Sequence, residues 1–219
     1  MRVLFLHQNA PGQFPHLAAH LAADSRNEVV FLGQTRPGRL PGVRWLQYGH
    51  KAADESAIHP YLRSTETAVR RGQAVARACL ELARDGFVPD LIVAHPGWGE
   101  SLFLRDVLPR AKIVSYCEMF YQTQDADIGY IPETALGLDG RCRLRIWNAT
   151  LLLALEAMDA GFAGPFLSVL QPTHAGKPAG SGLAEEHHPV ARIGRQMRGE
   201  VGELAGGVLV QEQHAHAAT

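Results

Sequence analysis

Three short polar segments of this sequence each come directly after an apolar run. They are residues 7–12 (HQNAPG), residues 95–100 (HPGWGE) and residues 116–118 (YCE). An imidazole such as that of His95 can hydrogen-bond a hydroxyl group or accept a proton, and a carboxylate such as that of Glu118 can bind hydroxyls or act as acid or base. Glycines such as Gly97 and Gly99 let a ligand approach the backbone closely. The residue types therefore indicate a site for a hydroxyl-bearing ligand.

Each of these residues also has an ordinary structural interpretation, which stays open on the sequence alone. Gly12 can serve a tight turn and nothing more. His95 can be a buried histidine at a strand end that is satisfied by the backbone, with Trp98 as part of the core. Glu118 can cap a helix or form a salt bridge, for example with Arg143.

Several common kinds of chemistry are disfavoured because their motifs are missing. The G-x-G-x-x-G fingerprint does not follow the first apolar run, and no acidic residue closes the second run at residues 31–34 (FLGQ). A G-x-x-x-x-G-K-[ST] phosphate loop is also missing, and residues 97–101 (GWGES) do not match a G-x-S-x-G nucleophile elbow. Dinucleotide chemistry, phosphate-loop chemistry and serine hydrolysis are therefore disfavoured.

The elements that position the three polar segments read as an α/β protein with an open, mostly parallel, Rossmann-like sheet flanked by helices. Short apolar runs predict buried parallel strands at residues 3–6, 29–32, 91–94 and 111–116, with an outer strand at 43–48. Helical patterns cover residues 13–23, 51–84, 100–108 and 138–160. In the second of these helices the predicted buried face is Val69, Ala76, Leu80 and Ala83. Parallel strands place their carboxyl ends at one sheet edge, so the three polar segments are expected to converge there.

Composition limits the possible partners. The chain has 219 residues with a formal net charge of −1, so no strong field favours nucleic acid or a membrane surface. Three widely spaced cysteines read as reduced thiols of a cytoplasmic protein, and neither a signal peptide nor a transmembrane segment is expected. Residues 1–161 read as the ordered domain, and residues 162–219 as an irregular, disordered tail. No metal site is expected from the histidines of that tail, which lack a rigid set of partner ligands: His187, His188, His214 and His216.

Four longer stretches make a more specific pattern. MRVLFLHQNAPGQFPHLA, LIVAHPGWGESLFLRDVLPRAKIVSYCEMFY, DADIGY and RIWNATLLLALEAMDAG resemble the N-terminal domain of family 4 (group 1) glycosyltransferases. The resemblance implies one half of a GT-B fold, in which two Rossmann-like domains face each other across a cleft. It also implies retaining transfer of a sugar from a nucleotide-sugar donor to an unknown acceptor, without a metal or cofactor. Residues 162–219 do not resemble the second, donor-binding domain, so the chain is expected to be truncated before it.

The resemblance assigns the residues of the three polar segments to a site. Catalytic roles are expected for Glu118 and His95. Substrate-binding roles are expected for His7, Asn9, Gly12, Gly97, Glu100 and Tyr121. A non-catalytic α/β module that binds a sugar-like ligand or a partner protein is the alternative, and a fragment of a GT-B sugar-nucleotide epimerase is a third, weaker possibility.

Overall fold

The structure is a computed structural model that describes residues 1–35, 39–118, 120–121 and 136–163. Its centre is a six-stranded sheet in the order β3-β2-β1-β4-β5-β6, in which every pair of neighbouring strands is parallel. The strands are β1 (Arg2–Leu6), β2 (Glu28–Gly33), β3 (Val43–Gln47), β4 (Leu91–Ala94), β5 (Lys112–Cys117) and β6 (Ala160–Ala163). The predicted open parallel sheet is therefore confirmed, and β3 is an edge strand as expected.

Four helices flank the sheet in the described part of the chain. They are α1 (Pro15–Ala22), α2 (Arg63–Arg84), α3 (Leu104–Val107) and α4 (Leu138–Glu156). All four are shorter than the helical patterns predicted, and α2 and α3 differ most at their starts. Residues 51–62 hold only a single 3-10 turn, at Glu55–Ala57, and residues 101–103 form turns before α3. The structure thus has loops where the sequence predicted the first turns of the helices at 51–84 and 100–108.

Each face of the sheet carries its own apolar core. One core packs side chains of α1, such as Ala18, against Val3 and Phe5 of β1 and Phe31 of β2. The other packs α2 and α3 against the opposite side chains of the same strands, including Leu4 and Leu6. Because successive side chains of a strand alternate between faces, β1 contributes to both cores and its residues 3–6 are fully buried.

The buried stripe of α2 is displaced by one residue from the predicted one. The side chains that face the interior are Ala68, Gly72, Val75, Cys79 and Leu82. Leu80 is 40% exposed, so its predicted burial is wrong. The stripe is rich in small residues because α2 approaches the loop after β4 very closely. A Cβ atom on Gly72 would lie 2.8 Å from the carbonyl oxygen of Gly99.

The end of the described chain also differs from the prediction. The helix expected over residues 138–160 ends at Glu156, and Ala160–Ala163 forms β6 beside β5. The turn between them is held by Asp159, whose carboxylate accepts hydrogen bonds from the Arg105 guanidinium, the Lys112 ammonium and the backbone N–H of Ile113. β6 (AGFA) has a glycine, two alanines and no β-branched residue, so its sequence gives no strand signal.

Several expectations lie outside the described residues, namely those for the DADIGY segment at 125–130 and for the tail histidines. The three cysteines are all free thiols in the structure. Among the helices that the structure describes, none combines the length and the apolar character that crossing a bilayer requires.

Candidate functional site

The register of the sheet brings the polar strand ends together. Leu6 of β1 pairs with Ala94 of β4, so the next residues, His7 and His95, are neighbours across the two strands. Both imidazoles continue the α1 side of the sheet, because they follow Phe5 and Val93 at the two-residue period of a strand. The ring centroids lie 5.1 Å apart with the rings edge to face. The expected convergence of the first two segments is thus present.

The backbone of each loop fixes the tautomer of its own histidine. The N–H of Asn9 donates to Nδ1 of His7 at 2.9 Å, and the N–H of Gly97 donates to Nδ1 of His95 at 3.1 Å. A nitrogen that accepts a hydrogen bond carries no proton, so the proton of each neutral ring is on Nε2. Both histidines therefore present an Nε2–H donor to the site.

Glu118 completes the group from the end of β5. His95 donates its Nε2–H to Oε2 of Glu118 at 2.9 Å, and the side-chain amide of Gln13 donates to both carboxylate oxygens at 3.2 Å. The Glu118 side chain is 36% exposed, whereas that of His95 is 6% exposed. Within the described part of the chain the partners of the carboxylate are thus His95 and Gln13, and the suggested salt bridge to Arg143 is not formed.

Burial keeps both imidazoles neutral. Burial, reinforced by the neighbouring His95, lowers the pKa of His7 to about 4, although hydrogen bonding to Gln13 and the charge of Glu118 act in the opposite direction. Burial likewise lowers the pKa of His95 against the opposing effect of Glu118. At neutral pH the site therefore holds two neutral hydrogen-bond donors beside one carboxylate.

The glycines of the two loops lie against these rings. Gly12 has a φ of +54°, and a Cβ atom there would lie 2.5 Å from the His7 ring. A Cβ atom on Gly97 would lie 2.6 Å from Cε1 of His95. Gly99 has a different environment: its φ is +100° and a Cβ atom would lie 2.4 Å from the carbonyl oxygen of Ala68. Gly99 therefore allows close packing against α2. The expectation that it opens the backbone to a ligand is wrong, because Ala68 of α2 occupies that side.

Glu100 is not part of the group around His95. Its side chain is buried on the α2 side of the sheet, where the hydroxyl of Tyr48 donates to its Oε1 at 2.6 Å. Burial raises the pKa of Glu100 and, together with the carboxyl group, that of Tyr48. The predicted substrate-binding residue Glu100 is therefore placed in the interior, whereas Asn9 has an exposed side chain at the edge of the site.

Tyr121 follows Glu118 by three residues and is held by α4. The side chain of Asn148 accepts from the backbone N–H of Tyr121 at 3.2 Å and donates to its carbonyl oxygen at 2.6 Å. The rings of Tyr121 and Trp147 are 5.3 Å apart, and those of Trp147 and Trp98 are 6.1 Å apart. Trp98, three residues after His95, and Tyr121, three residues after Glu118, thus share one aromatic cluster with Trp147 of α4.

Three residues of this arrangement were missed from the sequence: Gln13, Trp147 and Asn148. Gln13 stands in the PGQF motif, which could have pointed to it, but it was read only as the first residue of a helix. Trp147 and Asn148 lie within a long helical pattern where nothing distinguishes a residue that reaches another loop. Among the described residues, no three His, Cys, Asp or Glu side chains are grouped so that they could hold a metal ion.

A family model described as "Glycosyl transferase family 4 group" matches residues 25–165, which is more than half of the chain. The chain belongs to this glycosyltransferase family. The matched range includes the strand ends that carry His95 and Glu118, while residues 7–12 precede it. The resemblance found in the motifs is thereby confirmed for the family. No curated protein sequence matches the chain significantly.

Solved glycosyltransferase structures share the fold of this family 4 domain. The apo structure of UGT2 from Phytolacca americana aligns with a TM-score of 0.50 and 11% identity over 76% of this chain and 46% of that chain. Os79 from O. sativa in complex with U2F and trichothecene aligns with a TM-score of 0.47 and 15% identity over 77% of this chain and 48% of that chain. The chain thus spans about half the length of the solved structures it matches. The fold is that of one Rossmann-like half of a GT-B glycosyltransferase.

Proposed function

We propose that this domain is the acceptor-side half of a retaining glycosyltransferase that transfers a sugar from a nucleotide-sugar donor to a hydroxyl group of its acceptor. Family membership supports sugar transfer. The observation that carries the assignment to this edge of the sheet is the carboxylate of Glu118, which is partly exposed and fixed by His95 and Gln13. Ligands of open parallel sheets bind beyond the carboxyl ends of the strands, where these residues lie.

In this proposal Glu118 is the group that touches the acceptor. A carboxylate accepts hydrogen bonds only, so its exposed side receives the hydroxyl group and orients it toward the donor sugar. His95 acts through Glu118, because its Nε2–H is donated to Oε2 and its Nδ1 is occupied by the N–H of Gly97. The two residues expected to be catalytic thus have different roles: Glu118 contacts the acceptor, and His95 positions Glu118.

The remaining predicted residues surround that point. Asn9 and Gly12 border the site on the first loop, and Tyr121 provides an aromatic wall on the third. Glu100 is left out of this proposal because its side chain lies in the interior. The donor nucleotide would contact residues beyond this half of the fold, and the reaction uses the nucleotide sugar as substrate with no further cofactor. A cytoplasmic location belongs to the same proposal and is supported by the free thiols.

Binding of simple glycosides tests the acceptor half directly. We expect saturation-transfer NMR with a panel of methyl hexopyranosides to detect binding to the wild-type chain, and Glu118→Gln to weaken it about tenfold, since one charge-assisted hydrogen bond is lost. Glu81→Gln, the same change at an exposed position of α2, is the matched control. Equal binding by wild type and Glu118→Gln would show that the site lies elsewhere.

Transfer is tested separately with radiolabelled UDP-glucose and GDP-mannose and the glycosides that bind. Label in the glycoside supports the transferase, and its anomeric configuration decides between retention and inversion. Because the proposal places the donor nucleotide on residues beyond this half of the fold, only binding without transfer by a protein that carries both halves would favour the non-catalytic module.

A further inference from the structure

We propose that Gln13 is a positioning residue of this site, whose side-chain amide holds the Glu118 carboxylate in its orientation. The consequence for catalysis rests on the proposed function, whereas the hydrogen-bonded connection itself does not. Gln13 belongs to none of the residue roles derived from the motifs, and its side chain bridges two loops that are 105 residues apart in the chain.

The orientation of the amide follows from the chemistry of its neighbours. A carboxylate cannot donate a hydrogen bond, so the NH2 group of Gln13 must face Glu118. Both 3.2 Å contacts, from Nε2 of Gln13 to Oε1 and to Oε2 of Glu118, are therefore donated by the amide.

Two donors therefore act on the same carboxylate. His95 donates to Oε2, and the amide of Gln13 donates to both oxygens. Because Gln13 approaches both Oε1 and Oε2, it restrains rotation of the carboxylate about the axis that the single bond from His95 leaves free. One donor from His95 alone would fix the position of one oxygen and leave the other mobile.

A role in folding does not account for these contacts. Gln13 is exposed, so its side chain adds little to the apolar core. It does not cap α1 either, since the residue at the N-terminal cap of that helix is Phe14 and no side chain caps it by a hydrogen bond. The amide is instead directed across the sheet edge to β5.

NMR measurement of imidazole proton exchange in the full chain tests the contact without any ligand. In Gln13→Leu we expect the Nε2 proton of His95 to exchange with solvent roughly five- to tenfold faster, the factor that corresponds to one lost hydrogen bond. Gln73→Leu, the same change at an exposed position of α2, is the matched control and keeps the wild-type rate. Unchanged exchange in Gln13→Leu would overturn the proposal, because His95 alone would then hold Glu118. If the wild-type chain binds no glycoside, the proposed function fails while the exchange measurement still decides the role of Gln13.

Discussion

His7 and His95 are neighbours across two parallel strands, and each ring accepts at Nδ1 the N–H of the residue two positions further along its own loop. This repeated geometry makes both imidazoles neutral donors. Protonation at Nδ1 would place two hydrogens, one on Nδ1 and one on the backbone nitrogen, between the same two nitrogen atoms. A charged imidazole is therefore incompatible with either loop as it stands.

The stability of the domain is therefore expected to fall with acid in a defined window. The pKa of His7 is lowered from 6.5 to about 4 on folding, so below 6.5 the unfolded chain binds a proton that the folded chain does not. The contribution of His7 is fully present above 6.5 and is lost as the pH falls through about 4. Urea unfolding of wild type and His7→Gln over this range measures it. We expect the difference between the two curves to vary with pH, and a constant difference would show that His7 does not titrate in the window.

Glu100 has the opposite dependence. Burial raises its pKa above 4.5, so between 4.5 and the raised value the unfolded chain releases a proton that the folded chain retains. Stability is thus lost as the pH rises through that window. We expect Glu100→Gln to increase the free energy of unfolding relative to wild type more at about pH 7 than at about pH 4, where the wild-type carboxyl is protonated in both states. Chemical denaturation at the two values checks this, and a difference that shrinks toward neutral pH would contradict it.

Substitution of Gly12 should disturb the site through the ring of His7. Gly12→Ala combines an unfavourable positive φ with a Cβ atom that clashes with the ring, and we expect a cost of about 1–3 kcal/mol in stability. Gly86→Ala is the matched control, because Gly86 also has a positive φ but no atom within 4 Å of the added Cβ. Shifted His7 resonances in Gly12→Ala but not in Gly86→Ala are the expected result. Equal spectra would place the ring away from Gly12.

The two faces of α2 give a test of the packing. Val75 is fully buried in the core beneath the helix, so Val75→Asp should lower the free energy of unfolding by about 3 kcal/mol or more. Leu80 is 40% exposed, and Leu80→Asp should change stability by about 0.5 kcal/mol or less. Thermal or urea unfolding of the two variants compares them, and a larger loss in Leu80→Asp would reverse the assignment of the buried face.

The strands and the meeting of His7, His95 and Glu118 could be predicted because they depend on short-range regularities. Four-residue apolar runs identify buried strands, and parallel strands place their following loops at one edge. The face of α2 could not be predicted reliably, since its stripe is made of small residues such as Ala68 and Gly72. Their burial depends on the close approach of the loop at Gly99, which no local pattern records.

Within the site, the position of the Glu100 side chain and the contact of Gln13 with Glu118 could not be predicted, for a related reason. Glu100 belongs to the same HPGWGE motif as His95, but the turn that Gly99 permits sends it to the other side of the sheet, against Tyr48. Gln13 is distant from Glu118 in sequence, and a side-chain bond across the sheet edge leaves no periodic signal. The sequence motifs therefore identified the loops of the site correctly. They indicated only in part on which side of the sheet each side chain lies.

The separation of His7 and His95 is set by the spacing of two hydrogen-bonded strands, since the N–H of His95 itself donates to the carbonyl oxygen of Leu6. The interior beneath them can therefore exchange one apolar residue for another without changing the distance between the rings. A single inserted or deleted residue in β1 or β4 has a different effect, because it turns one histidine to the α2 side and leaves the other behind. The site thus tolerates apolar substitutions in these strands but not a change in their length. An insertion or deletion in β1 or β4 would therefore separate relatives of this domain that keep the histidine pair from those that lose it.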